Sequence, residues 1–91
     1  MKLDWSRQAL ADLERLYTFL AAVNPRAAAN VVQALSQAPE RLLEQPRMGA
    51  RVDRYLPREV RRIIIGDYEV RYEIIGDTIS IAQIWHGREN R

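Results

Sequence analysis

The sequence contains no cysteine, one histidine (His86) and one lysine (Lys2). Without cysteine there is no disulfide framework and no thiolate metal site. With one histidine, a metal would have to rest on carboxylates, so neither a metal nor another cofactor is expected. No apolar run approaches the roughly 20 residues that a membrane-spanning helix needs. The opening MKLDWSRQ carries Asp4 and lacks the apolar stretch of a secretory leader, so a cytoplasmic protein is expected. Internal repeats, low-complexity segments and linkers are also missing.

What remains is 91 residues with a 47% hydrophobic fraction. That suits one domain, just large enough to hold a core without staples. The formal charge is only +2, but it is unevenly spread. Between Arg47 and Arg62 stand six arginines (Arg47, Arg51, Arg54, Arg58, Arg61, Arg62) against Asp53 and Glu59. A guanidinium holds carboxylate or phosphate through a planar fork, so this stretch suits an anionic partner. A plain solvated face accounts for the same charges.

The first half of the chain has helical periodicity. KLDW is a short strand candidate, and Ser6 sits where an N-cap belongs. Ala9, Leu13, Leu16, Leu20 and Val23 then recur at spacings of four and three, flanked by Leu10 and Tyr17. This is the apolar stripe of a first helix. Asn24 caps a second helix, Pro25 fits its first position, and Val23 and Ala28 occupy the staple positions around that cap. Ala28, Val31, Val32 and Leu35 form its stripe, and Pro39 ends or kinks it. The near absence of a link predicts an antiparallel helical hairpin. These Leu and Val residues read as core.

After Pro46 the period changes to that of strands. EVRRIII leads into Gly66-Asp67, and YEVRYEII alternates Tyr68, Val70, Tyr72 and Ile74 against Glu69, Arg71 and Glu73. After Gly76-Asp77, TISIAQIW puts Ile79 and Ile81 on one face but Ala82 and Ile84 on the other. That requires either a bulge or a strand covered on both faces. The short links predict an antiparallel meander. The expected fold is α+β, an N-terminal helical hairpin packed on a small antiparallel sheet.

The ordered set WSRQALADLERLYTFL, NPRAAANVV, EQPRMG, GDYEVRYEI and IWHGREN resembles the RelE/ParE superfamily of bacterial toxins over nearly the whole chain. The resemblance implies the toxin of a type II toxin–antitoxin pair. Its partner would be a cognate antitoxin, acidic and partly disordered when free, with promoter DNA bound only through that antitoxin. RelE-like members resemble ribonucleases that cut messenger RNA on the ribosome, whereas ParE-like members inhibit DNA gyrase. The fold does not choose between them.

For RNA cleavage a 2′-hydroxyl must lose its proton, the phosphorane charge must be stabilised and the leaving oxygen protonated. Arg62 and Arg88 fall where RelE-like members resemble one another in binding phosphate, with Arg61 on the other side of the pleat. Glu69 stands where those members carry Arg, and it would repel phosphate. Their late tyrosine has no counterpart after Arg88. His86 is either a general acid or base or a structural residue at a strand end. Trp85 is either packed or stacked on a base. The departures favour the ParE-like branch, in which the proposed contacts with antitoxin or target are Arg51, Arg54, Arg58, Arg61, Arg62, Tyr68, Trp85, His86 and Arg88, with the tail HGRENR. The alternatives are a ribosome-dependent endoribonuclease using His86, Arg62 and Arg88, and an inactive relative that still binds antitoxin.

Overall fold

The computed structural model describes residues 1–89. The chain runs β1 (Lys2–Trp5), α1 (Arg7–Ala21), α2 (Pro25–Gln37), a 3-10 segment (Ala38–Leu43), β2 (Ala50–Arg51), a short 3-10 turn (Asp53–Tyr55), β3 (Glu59–Ile65), β4 (Tyr68–Ile75) and β5 (Thr78–His86). No described helix is long and apolar enough to cross a membrane.

Both helix starts form as the sequence dictates. The Ser6 hydroxyl accepts from Ala9 N–H at 3.0 Å, and the Asn24 side chain accepts from Ala27 N–H at 3.1 Å. Each satisfies an N–H that has no partner within its helix. Pro39 ends α2 in its regular form, and the chain tightens into the 3-10 segment. The first stripe is narrower than expected. Ala9 and Leu16 are buried, but Leu10 and Tyr17 lie exposed, and Val23, in the turn after α1, is 87% exposed. Val23 therefore makes no staple, although Ala28 is buried.

The sheet has the order β1-β5-β4-β3-β2. The meander β3-β4-β5 is antiparallel, and its two links turn through Gly66 and Gly76 at φ of 60° and 58°. A glycine with positive φ in the first place of a two-residue turn matches the twist of the joined strands. The opening strand adds beside β5 in parallel, so the sheet is mixed where an antiparallel one was expected. A parallel pair needs no hairpin, and no local signal announces it.

The helices cover one face of the sheet. Val70, Tyr72, Ile74, Ile79, Ile81 and Ile84 pack there against Ala9, Leu16, Leu35 and Leu42. The alternation problem in β5 resolves as a bulge: Arg71 pairs with Gln83 and Tyr72 with Ile81, which leaves Ala82 over and returns Ile84 to the core face. Ser6 donates to Ala82 O at 2.8 Å, so one hydroxyl both caps α1 and ties it to the bulge. Asp12 is buried on α1, where its carboxylate accepts from Ile84 N–H at 2.9 Å and Gln8 Nε2 at 2.9 Å. The Tyr72 hydroxyl donates to Pro46 O at 2.7 Å and accepts from Gly49 N–H at 3.1 Å, which anchors the turn before β2.

Candidate functional site

Among the described residues the other face of the sheet carries no α-helix. In the strand register it presents Val60, Arg62 and Ile64 of β3, Glu69, Arg71 and Glu73 of β4, and Gln83 and Trp85 of β5. Arg62 and Arg71 stand directly opposite each other. Like charges at that position repel. Glu69 offsets them, accepting from Arg71 at 2.8 Å and from Arg62 at 3.4 Å. The Arg71 guanidinium also lies 4.5 Å from the Trp85 ring centre and 5.8 Å from that of Tyr55, and it donates to the Tyr55 hydroxyl at 3.3 Å. Two aromatic faces and a carboxylate thus hold one cation in place.

Tyr55, in the turn before β3, collects three guanidiniums around its ring, from Arg54, Arg58 and Arg71. The Arg54 hydrogen bond, and with it that of Arg71, holds the phenol below its ordinary pKa, against a smaller upward push from burial. Arg58 is committed to Glu73 through a fork with one contact of 2.9 Å and one of 2.6 Å. That fork holds the Glu73 carboxyl below its usual range. Between the turn and the sheet lies an open pocket of about 320 Å³, lined by Arg51, Val52, Asp53, Arg54, Arg62 and Arg71.

The structure divides the expected arginine patch. Arg61 lies on the covered side in the register, opposite Tyr72. Its side chain is only 13% exposed, held by Glu59 at 2.9 Å and Gly49 O at 2.8 Å. Arg47 forks the same Glu59, and the Arg47 hydrogen bond, then that of Arg61, holds the Glu59 carboxyl below its usual range. Arg61 is a strut of the fold, and Arg58 is a paired charge. Arg51, Arg54 and Arg62 meet at the pocket and are joined there by Arg71.

His86 falls away from this group. It pairs with Tyr68 in the register and shares the covered side, its ring edge-on to Tyr68 at 5.2 Å. Burial raises the Tyr68 phenol above its ordinary pKa. His86 Nδ1 accepts the Arg88 backbone N–H at 3.0 Å, which leaves Nε2 to carry the proton of the neutral ring. The His86 backbone N–H donates to Glu89 at 2.9 Å, and Arg15 of α1 donates to the same carboxylate at 2.8 Å. Arg88 is exposed in this turn. Trp85 is only 6% exposed beneath Arg71, so its ring is not open to a base. Residues 90 and 91 of the expected contact tail HGRENR lie outside the described residues.

Sequence reasoning missed Arg71 and Tyr55. In the sequence Arg71 figures only in the alternation of Glu69, Arg71 and Glu73. The signal for it was the Glu-x-Arg-x-Glu alternation itself, which on a strand puts a cation between two carboxylates. Tyr55 lies in a turn whose position depends on the sheet, and no periodicity points to it.

Comparison with known proteins places this geometry among toxins. The family model for the ParE toxin of the type II toxin–antitoxin system parDE matches residues 3–91. "Toxin RelE1" of Caulobacter vibrioides is 36% identical over 88 residues, covering 94% of this chain and 92% of that protein. Among solved structures, the chromosomal ParDE system of P. aeruginosa aligns with a TM-score of 0.77 at 26% identity, over 94% of this chain and 95% of that one. The isolated E. coli RelE toxin aligns with a TM-score of 0.69 at 19% identity, over 99% of this chain and 87% of that one, and shares the fold. The chain therefore belongs to the ParE toxin family of type II toxin–antitoxin systems, within the RelE/ParE superfamily.

Proposed function

We propose that this toxin acts in the ParE manner: it inhibits DNA gyrase by docking, without bond cleavage of its own, and a cognate antitoxin silences it. The observation that carries this reading is the separation of the groups RNA cleavage would need. His86 stands on the covered side of the sheet, bonded into its own turn. Arg62 and Arg71 stand on the open side, already answered by Glu69. General acid–base catalysis requires the proton-transfer group and the phosphate-binding groups within hydrogen-bond reach of one substrate. An arginine-lined face interleaved with carboxylates suits protein recognition, where complementary charge steers association and sets specificity. The contacts assigned to antitoxin or gyrase are Arg51, Arg54, Arg62 and Arg88.

A second reading is ribosome-dependent cleavage of messenger RNA. Supporting it are the 36% identical relative with a RelE name and the lowered pKa of Tyr55 among three arginines. In that reading Tyr55 or His86 moves the proton and the arginines bind phosphate.

The test is to induce the chain without antitoxin and follow thymidine and methionine incorporation in one culture. The gyrase reading expects DNA synthesis to fall first, with the SOS response induced. Protein synthesis stopping within minutes, ahead of DNA synthesis, overturns it in favour of cleavage. Unimpaired growth overturns both readings and leaves an inert antitoxin-binding relative.

A further inference from the structure

The arginines of the basic stretch and its neighbouring strand are not held alike. Arg47 and Arg58 each hold a glutamate through both arms of the fork, and Arg61 is closed into the fold. At the pocket of about 320 Å³ the account is different. Arg62 is half exposed and reaches Glu69 only at 3.4 Å, at the limit of a hydrogen bond. Among the described residues Arg54 meets only Tyr55, its hydroxyl at 3.4 Å and its ring centre at 5.2 Å. The Arg71 Nε is buried with no hydrogen-bond partner among the described residues, although its Nη2 holds Glu69 at 2.8 Å. With Arg51 at the rim, four arginines meet one carboxylate in the lining, Asp53, and one beside it, Glu69. The site is a set of guanidinium forks whose resident counter-ion is shared and stretched.

We propose that this pocket receives a carboxylate side chain of an acidic protein partner, which takes Arg62 and Arg54 from their weak contacts while Glu69 keeps Arg71. This deepens the reading of the chain as a toxin silenced by a protein, and rests on it. A carboxylate is favoured over a nucleic-acid backbone because the positive charge is confined. A phosphodiester chain leaving the pocket along the sheet meets Glu69 in one direction and Glu73, whose own arginine is already used, in the other. One carboxylate needs only the pocket, and the fork geometry is the one this chain already uses at Glu59 and Glu73. Glu69 acts as an internal competitor.

The test uses the full chain with octaglutamate as probe and an oligothymidylate of matched charge as the rival. Binding is followed by calorimetry and by the fluorescence of Trp85, which lies under Arg71. Octaglutamate is expected to bind more tightly than the oligothymidylate. Arg54→Gln with Arg62→Gln should weaken it by about tenfold or more and flatten its salt dependence. Arg7→Gln with Arg26→Gln, removing the same charge from the helices, should leave it within about twofold. Glu69→Gln should tighten it severalfold. Equal losses in the two double variants, unchanged or weaker binding by Glu69→Gln in a chain whose circular dichroism shows it folded, tighter binding of the oligothymidylate, or no binding would each overturn the proposal. Growth arrest by the unaltered chain is scored alongside. Its absence breaks the functional reading, whereas arrest without pocket-dependent binding breaks this inference alone.

Discussion

The two faces of the sheet are built from the same three strands and obey opposite rules. On the covered face, apolar side chains meet the helices, and the fully buried polar groups are satisfied by fixed partners within the fold. Asp12 accepts Ile84 N–H, and the Tyr72 hydroxyl bridges Pro46 and Gly49. On the open face, charged groups are shared: Glu69 serves two arginines, and Tyr55 serves three. Burial makes an unmet polar group costly, so a core polar group is given a specific partner. Solvation at the half-exposed Arg62 makes its share of Glu69 cheap to exchange, whereas Arg71 and Glu69 are nearly buried and stay paired. Stability therefore belongs to the first face and recognition to the second.

Tyr72→Ala should strain that comparison most. Tyr72 is fully buried on the covered face, and its loss should cost about 3–5 kcal/mol in urea unfolding. Ile64→Ala, on the open face and 62% exposed, should cost less than about 0.5 kcal/mol. Similar losses at both sites would mean the faces do not divide the work.

Asp12→Ala should cost about 1–3 kcal/mol, because Ile84 N–H is left buried without its acceptor. A stability equal to the parent would show that the buried carboxylate contributes nothing net. Gly49→Ala belongs to the same range, about 1–3 kcal/mol. Its new Cβ would lie 2.6 Å from Arg62 O and 2.7 Å from the Tyr72 hydroxyl, so backbone must shift. A crystal structure of the variant with Tyr72 unmoved and stability retained would refute that tight fit.

The smallest effect concerns pH. The forks of Arg47, Arg61 and Arg58 hold Glu59 and Glu73 below their unfolded values. A depressed folded-state pKa contributes stability that is complete above the unfolded value of about 4.3 and is lost as pH falls through the folded one. Solvent screening keeps the contribution of each pair small. Glu59→Gln with Glu73→Gln should flatten the acid limb of a urea-midpoint profile below that pH and lower the plateau above it. Parallel profiles for parent and variant would remove the forks from the account of acid stability.

Much of the fold was legible because its signals are local. Ser6, Asn24 with Pro25, Gly66 and Gly76 each act within a few residues, and the helices and meander form where those residues put them. The bulge in β5 was legible as one of two alternatives, since a change of face within a strand demands one extra residue or a second cover. The candidate site was less readable. The arginines were visible as a run, but a run does not say which members face each other. Arg61 and Arg62 are neighbours in the chain and stand on opposite sides of the sheet, while Arg62 and Arg71 are far apart and stand together.

By itself the sequence determined the two capped helices, the three-stranded meander and the family, because capping, turn geometry and ordered motifs depend on near neighbours. Tertiary structure alone decided that β1 would add beside β5, that Asp12 would be buried against Ile84, and that Arg51, Arg54, Arg62 and Arg71 would line one pocket. These pairings join residues distant in the chain, and their partners exist only once the sheet has set its register.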